Sequence, residues 1–448
     1  MERQYKNTGI EWIVSIPREW KICRLKDIGY LYGGLAGKSG SDFDVEEGDE
    51  YALFIPFTNI FNNDVINPSL LQKVKVDINE VQNEVKEGDL LFLMSSEDYD
   101  GIGKSSILQN SISKLYLNSF CKGMRITNPM VLPKYLFYLM SSHFVREQLR
   151  LEAKGFIRIN LRQDKLLCCS LFLPPIGEQQ RIAEFLDVKC REIDGLITLQ
   201  EQMIAQLTDY KQSVITEIVT KGLIPDAQLV PSGIDWIAVI PKGWKNVRFY
   251  YSNWIRGRLG WKGLKSEEYT ESGYPFLSAF NIINNKLDWS DINYINQERY
   301  DESPEIKLKV GDILLVKDGA GIGKCARIDE LPLGESTVNS SLAVITPKAF
   351  LNYKYLYYYL QSNSFWSIIN LLLVGMGVPH LTQTNMKNIK MPLPPLEEQV
   401  VIAEYLDAKC GEIDRLIETK RQKIETLKEY KKSVIYEAVT GKTDLWDS

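Results

Sequence analysis

The chain has 448 residues, a formal net charge of -5, a pI near 5.5, 44% hydrophobic residues and 25% charged residues. These values describe an ordinary globular protein of roughly two to four domains, and the mild acidity speaks against a free-standing, non-specific DNA binder with a basic field of its own. No apolar run approaches the ~18 residues of a membrane span and the N-terminus lacks a signal-peptide core, so a cytoplasmic protein is expected.

The first recognisable element is GIEWIVSIPREWK (Gly9 to Lys21), and its copy GIDWIAVIPKGWK (Gly233 to Lys245) stands before the second half. The paired tryptophans, Trp12 with Trp236 and Trp20 with Trp244, read as structural anchors, with nucleic-acid stacking as the alternative. A globular stretch follows each copy. YALFIPFTNI (Tyr51 to Ile60) and YPFLSAFNII (Tyr274 to Ile283) read as β runs before Asn-rich turns. EGDLLFLMSS (Glu87 to Ser96) and VGDILLVKDG (Val310 to Gly319) read as a Gly-Asp turn into a strand. GIGKSSIL (Gly101 to Leu108) and GIGKCARI (Gly321 to Ile328) come next. One short helix is expected in each half, Pro133 to about Arg150 and Tyr353 to about Leu371. The Gly-containing loops GFIRINL (Gly155 to Leu161) and GMGVPHL (Gly375 to Leu381) follow, and an apolar run then ends in Pro-Pro.

Pro174 to Gly222 and Pro394 to Lys442 are close copies, identical at more than half of their positions without gaps. The repeat is longer than a solenoid unit and marks a duplicated domain plus helix. Pro-Pro resists helix continuation from upstream, so each helical region starts just after it. A short helix is expected over Glu178 to Val188, and a longer one after it. Apolar positions then recur by four and three: Ile193, Ile197, Ile204, Leu207, Val214 and Ile218, and in the copy Ile413, Ile417, Ile424, Leu427, Val434 and Ala438. That is a heptad seam. Gln200, Lys211, Lys420 and Lys431 interrupt it and could fix register at some cost in stability. Gly222 and Gly441 are placed to end the helices. Two such seams in one chain predict an intramolecular antiparallel pair, with each leading motif beside the far end of the other half's helix. About 30 helical residues span roughly 45 Å, and DNA presents the same face about every 34–36 Å.

Motifs for chemistry are missing. GIGKS lacks the first glycine of a Walker A loop, because Asp98 and Asp318 occupy that position. Pro225-Asp226 with Glu305-x-Lys307 makes a poor nuclease set, and no Asn-Pro-Pro-aromatic methyltransferase motif occurs. Seven scattered cysteines without a CxxC pair, and only two histidines, offer neither a disulfide framework nor a zinc site. Cys190 and Cys410 occupy equivalent helical positions and read as buried thiols. His143 reads as a surface residue. What remains suits phosphate and base contacts. The candidates are Lys38, Asn59, Asn62, Lys104 and Asn160 in the first half. In the second they are Arg256, Arg258, Trp261, Lys262, Lys265, Asn281, Asn284, Lys324 and His380. Lys104 and Lys324 equally fit a plain β-turn with a surface lysine. Asn160 and His380 occupy equivalent places in the Gly-containing loops.

These motifs, twice over and in one order, resemble the specificity subunit of type I restriction-modification systems across essentially the whole chain. The carriers are GIEWIVSIPREW/GIDWIAVIPKGW, GDILLVKDGAGIGK, PLPPLEEQVVIAEYLD and the long helix after it. The first half departs at LMSSEDYDGIGKS, whose added acids alter that loop. The resemblance implies an α+β fold: two globular mixed α/β target-recognition domains separated by two long helices that form an intramolecular antiparallel coiled coil. The expected boundaries are 1–173, 174–222, 223–393 and 394–448. Each recognition domain would read one half of a bipartite, asymmetric target in double-stranded DNA. The helices would set the spacer and dock two modification (methyltransferase) subunits, with restriction (motor and nuclease) subunits joining the complex. No catalysis and no cofactor are expected on this chain; S-adenosylmethionine belongs to the modification partner, and ATP and Mg to the restriction partner. A prokaryotic cytoplasm is the implied setting.

Overall fold

Leu90–Leu93 is apolar at every position and buried throughout, and a strand without a polar face needs cover on both sides. It is an interior strand of an antiparallel sheet ordered Gly29–Gly33, Cys121–Ile126, Leu90–Leu93, Ser105–Ile107. One face packs, through Leu91, Leu93 and Ile55, on a second sheet ordered Leu115–Leu117, Ala52–Ile55, Gln72–Val74. The other face, through Leu90, Phe92 and Met124, packs on helices Pro133–Ser141 and His143–Glu152. This computed structural model describes residues 3–443 apart from 11–12, 47–49, 78, 156, 259–263, 265, 320 and 374–379.

The second half repeats the plan with different side chains. Its sheets are ordered Asn253–Arg256, Leu342–Pro347, Ile313–Val316, Cys325–Arg327 and Asn293–Ile295, Tyr274–Leu277, Thr337–Val338. Its helices are Tyr353–Gln361 and Asn363–Leu373. In each half one expected helix is therefore two, parted at Ser142 or Ser362, whose hydroxyl donates to the carbonyl of Leu139 or Tyr359. The expected β runs are also shorter. Pro56 stops the first strand at Ile55, and Phe57–Asn62 is helical. In the second, the strand ends at Leu277 and a short 3-10 turn covers Ala279–Asn281.

The central helix runs unbroken for 46 residues, Ile176–Lys221, and the C-terminal helix for 44, Leu396–Val439. A separate short helix over Glu178 to Val188 is thus corrected. The polar run after Val188 faces solvent, while Cys190 and Ile193 keep the buried stripe continuous. At 1.5 Å per residue, 46 residues span about 69 Å. Gly222 and Gly441 adopt φ of 75° and 71° just past the two helices, the left-handed geometry that glycine supplies at a helix end.

The chain divides into two compact units, residues 1–200 with 422–448 and residues 201–421. In the first, the start of the central helix packs on the end of the C-terminal helix, joining Ile182, Leu186 and Cys190 to Val434, Ile435 and Ala438. In the second, Ile215 and Val219 share a core with Ile402, Leu406 and Cys410. The helices are therefore an antiparallel intramolecular pair, and the heptad positions face its interior. Two of the seam lysines are paired: Lys431 Nζ lies 2.9 Å from Asp194 and Lys211 Nζ 2.6 Å from Asp414. Both pairs are partly exposed, so each is worth about 1 kcal/mol or less. Lys431→Asp should lower the urea midpoint slightly, and Asp194→Lys in the same chain should restore it; no recovery would show that the pair does not set register.

Each helix start also clamps its own lobe. The Trp20 and Trp244 indoles donate to Glu178 and Glu398, each at 3.0 Å. The Gln179 side chain accepts from the Leu132 amide and donates to the Met130 carbonyl, and Gln399 does the same with Asn352 and Phe350. In the second unit Asp407 accepts from Arg327, Tyr358 and Lys354. Burial works to raise its pKa, but those bonds outweigh it and hold the carboxyl below its ordinary 3.8. A depressed folded pKa contributes stability above the unfolded value and loses it as pH falls through the folded one. Asp407→Asn should therefore flatten the loss of stability below about pH 4, read from urea midpoints taken between neutral pH and pH 3.

Candidate nucleic-acid interface

The lobes brace their sheets with one charge arranged two ways. In the first, Asp89 is held by Arg125 Nε at 3.0 Å and by the Tyr32 hydroxyl at 2.6 Å. In the second, Asp312 is held by Arg256 at 2.7 Å and by Thr346. Register places Tyr32 opposite Gly123 and Arg256 opposite Val344, so the arginine has changed strands between the copies. Gly123 makes room for the ring, since a Cβ there would sit 2.1 Å from Tyr32. Gly123→Ala should cost about 1–3 kcal/mol by overpacking, measured by urea unfolding. Arg256 also donates to the carbonyls of Glu305 and Lys307.

Several other candidates are bound into the fold. Asn59 is 0% exposed; its amide nitrogen donates to the Asn67 carbonyl at 2.9 Å, and its oxygen accepts from the Asn67 amide at 3.1 Å. Asn281, at the equivalent place, donates to the Asp291 carbonyl at 2.8 Å and its oxygen accepts from the Ser278 amide. Lys38 pairs with Glu80. Arg258 is 3% exposed beside Glu302, burial pushes its pKa down, and its Nε has no hydrogen-bond partner among the described residues. Lys104 donates to the Phe61 carbonyl, and burial pushes its pKa down as well. Asn284 and Asn285 have φ of 51° and 60° in the two-residue turn of the hairpin Ile282–Ile283 with Lys286–Leu287, the mirror-image turn that hairpins favour.

The remaining candidates stay at the surface. Asn62, Asn160, Asn284, Lys324 and His380 are exposed. Trp261, Lys262 and Lys265 lie outside the described residues. Both GIGK segments are tight turns leading into a strand, closed by the Lys104 amide on the Gly101 carbonyl at 3.1 Å and the Lys324 amide on that of Gly321 at 3.0 Å. The Gly103 amide donates to the Leu93 carbonyl at 2.8 Å and the Gly323 amide to that of Val316 at 2.9 Å. Beside each turn lies the last residue of the Gly-containing segment, through Leu161 N–H to the Met94 carbonyl at 2.9 Å and Leu381 N–H to that of Lys317 at 2.8 Å. Asn160 thus stands opposite Ser95, and His380 opposite Asp318, to which its Nδ1 is bonded. One sheet end in each lobe carries the same backbone frame and different polar side chains.

Three exposed residues outside the sequence candidates adjoin the first lobe's frame: Phe120, Ile157 and Arg158. The loop GFIRINL was singled out, but Asn160 drew attention because Asn suits base contacts. The available signal was an apolar-cationic tip between two stem residues. The partners of the seam lysines, Asp194 and Asp414, were also missed, although both repeats carry aspartate there.

No cluster of three or more His, Cys, Asp or Glu that could hold a metal occurs among the described residues, and no described helix is long and apolar enough to cross a membrane. Burial pushes the Cys190 and Cys410 thiols up to about 11. Two lobes of one plan with unlike polar ends, each clamped to paired helices, define a recognition subunit. The family described as "Type I restriction modification DNA specificity domain" matches residues 17–208 and 260–429, and the chain belongs to it. Two relatives from Methanocaldococcus jannaschii, the type I restriction enzyme MjaVIII specificity subunit and the putative MjaX specificity subunit, are 27% and 26% identical. The alignments cover 96% and 98% of this chain and 94% and 97% of theirs. A chain from a solved type I R-M system superposes with a TM-score of 0.71 at 19% identity, covering 96% of this chain and 99% of that one. The HsdS subunit of Thermoanaerobacter tengcongensis gives 0.50 at 18%, covering 96% and 98%. The chain is a non-catalytic DNA-specificity subunit. Its two lobes serve a bipartite target, and its helices connect them and dock methyltransferase subunits.

Proposed function

We propose that each lobe reads its half-site with the sheet end where the GIGK turn meets the Gly-containing loop. Asn160 acts in the first lobe, and Lys324 and His380 in the second. The observation that carries this reading is the repeated backbone frame bearing unlike side chains, Asn160 against Ser95 and His380 against Asp318. A shared frame with private polar groups suits two different base sequences, because base edges specify while phosphate contacts position. S-adenosylmethionine belongs to the methyltransferase partner, and ATP and Mg to the restriction partner. The working complex resides in a prokaryotic cytoplasm.

The test is the methylation pattern made by the reconstituted complex. His380→Ala should relax base preference in one half-site by about 1–3 kcal/mol per contacted pair, and Asn160→Ala should do so in the other. Lys324→Ala should weaken binding evenly across sequences and lower its salt dependence. Unchanged preference in both halves for both variants would refute this placement.

A further inference from the structure

The first lobe carries one further feature. Lys154 and Asn160 exchange backbone hydrogen bonds at 3.0 and 2.9 Å, closing a tight loop. Gly155, at φ 149°, allows the closure, since a Cβ there would fall 2.0 Å from the Arg158 carbonyl oxygen. Ile159 is buried beneath, and the Asn160 side-chain Nδ2 donates to the Arg158 carbonyl at 3.0 Å. Pinned at both stems, the loop holds Ile157 93% exposed at its tip. The Arg158 guanidinium lies 5.2 Å from the Phe120 ring centroid, and that ring is 57% exposed. The Asn118 side chain accepts the Phe120 amide at 2.9 Å and fixes the ring's place. Arg158 makes no ion pair among the described residues.

Single exposed apolar side chains are common and mean little. Here two of them flank a cation without a carboxylate partner among the described residues, beside stems joined by backbone hydrogen bonds. An arginine suits guanine edges or a narrow minor groove, and apolar wedges enter between base steps. Register aligns Cys121 with Leu93 and Leu342 with Val316, so Ser341 holds the place of Phe120 in the second lobe. The aromatic ring is therefore private to the first lobe, and the second lobe's sequence GMGVPHL holds no arginine.

We propose that Ile157, Arg158 and Phe120 form a wedge that enters the duplex and determines specificity for the first lobe's half-site. Arg158 contacts base edges or groove phosphates, and the two apolar side chains press on a base step. This rests on the reading of the lobes as half-site readers given above.

The experiment uses the chain assembled with its methyltransferase subunits. The probes are a duplex carrying the site mapped for the unmodified complex and a series with each base pair of that site replaced. Arg158→Ala and Phe120→Ala should each weaken binding by about ten- to a hundredfold. Their penalties for wrong bases should flatten in one half-site and persist in the other, with melting and subunit assembly unchanged. Arg158→Lys, which keeps the charge and loses the planar fork, should retain affinity better than discrimination. Wild-type penalties in both halves for all variants would overturn the wedge. So would loss of methyltransferase subunits from the variant complexes, which would make the platform a protein contact. If the unmodified complex shows no position-dependent penalties in one half of the site, the half-site reading itself fails, and the wedge with it.

Discussion

Asp312→Ala is expected to destabilise the second unit by about 3–5 kcal/mol. Asp312 is 0% exposed and joins three segments: Arg256 on one strand, Thr346 on the next, and the Lys309 amide in the turn before its own strand. Removing it leaves the half-buried Arg256 guanidinium with two carbonyls and the Thr346 hydroxyl but no counter-charge. Unpaired buried charge dominates the cost, more than the lost attraction. Arg256→Met with Asp312→Ala should recover part of the loss, since it removes the orphaned charge as well. Urea unfolding with a probe in each unit reads both variants. A shift of the second unit's midpoint no larger than that of a surface control would show that the clamp does not hold the sheet together.

Trp20→Ala is expected to cost a similar amount, about 3–5 kcal/mol. The indole is completely buried and donates to Glu178 at the start of the central helix. It also lies against the end of the C-terminal helix, where a Cβ on Gly441 would come within 3.0 Å of the ring. Tyr5 adds a bond from its hydroxyl to the Gly441 carbonyl at 2.9 Å. Loss of the ring should therefore loosen the helix end as well as the lobe. Hydrogen exchange at residues 434–440 should rise in Trp20→Ala and far less in Trp20→Phe. Equal protection in the two variants would place the anchor elsewhere.

The seam was legible because burial imposes a period, and the period survives substitution of individual residues. Lys211 and Lys431 were legible as interruptions, but their partners were not, because Asp194 and Asp414 come from the other helix. The continuous helix was harder to read. Lys189, Arg191, Glu192 and Asp194 look like a break until the partner helix shows which side they occupy. Asn59 and Asn281 were misleading for a different reason. Asparagine braces turns and reads bases with the same amide, and only burial separates the uses. Phe57–Asn62 is a further case, where Phe, Thr and Ile favour strands but the chain turns helical after Pro56. The near-identity of the two helices gains a second cause: Glu178, Gln179 and Asp187, which accepts from the Tyr138 hydroxyl at 2.7 Å, hold their own lobe as Glu398, Gln399 and Asp407 hold theirs, in addition to any surface offered to partners.

The central claim is that each lobe supplies half of the DNA address. Its most direct test is single-base mapping of methylation by the reconstituted complex, before and after residues 20–170 are exchanged for the corresponding stretch of a relative. The expected result is a bipartite, asymmetric site in which the exchange changes one half and leaves the other half intact. An unchanged site, or one altered in both halves, would contradict it.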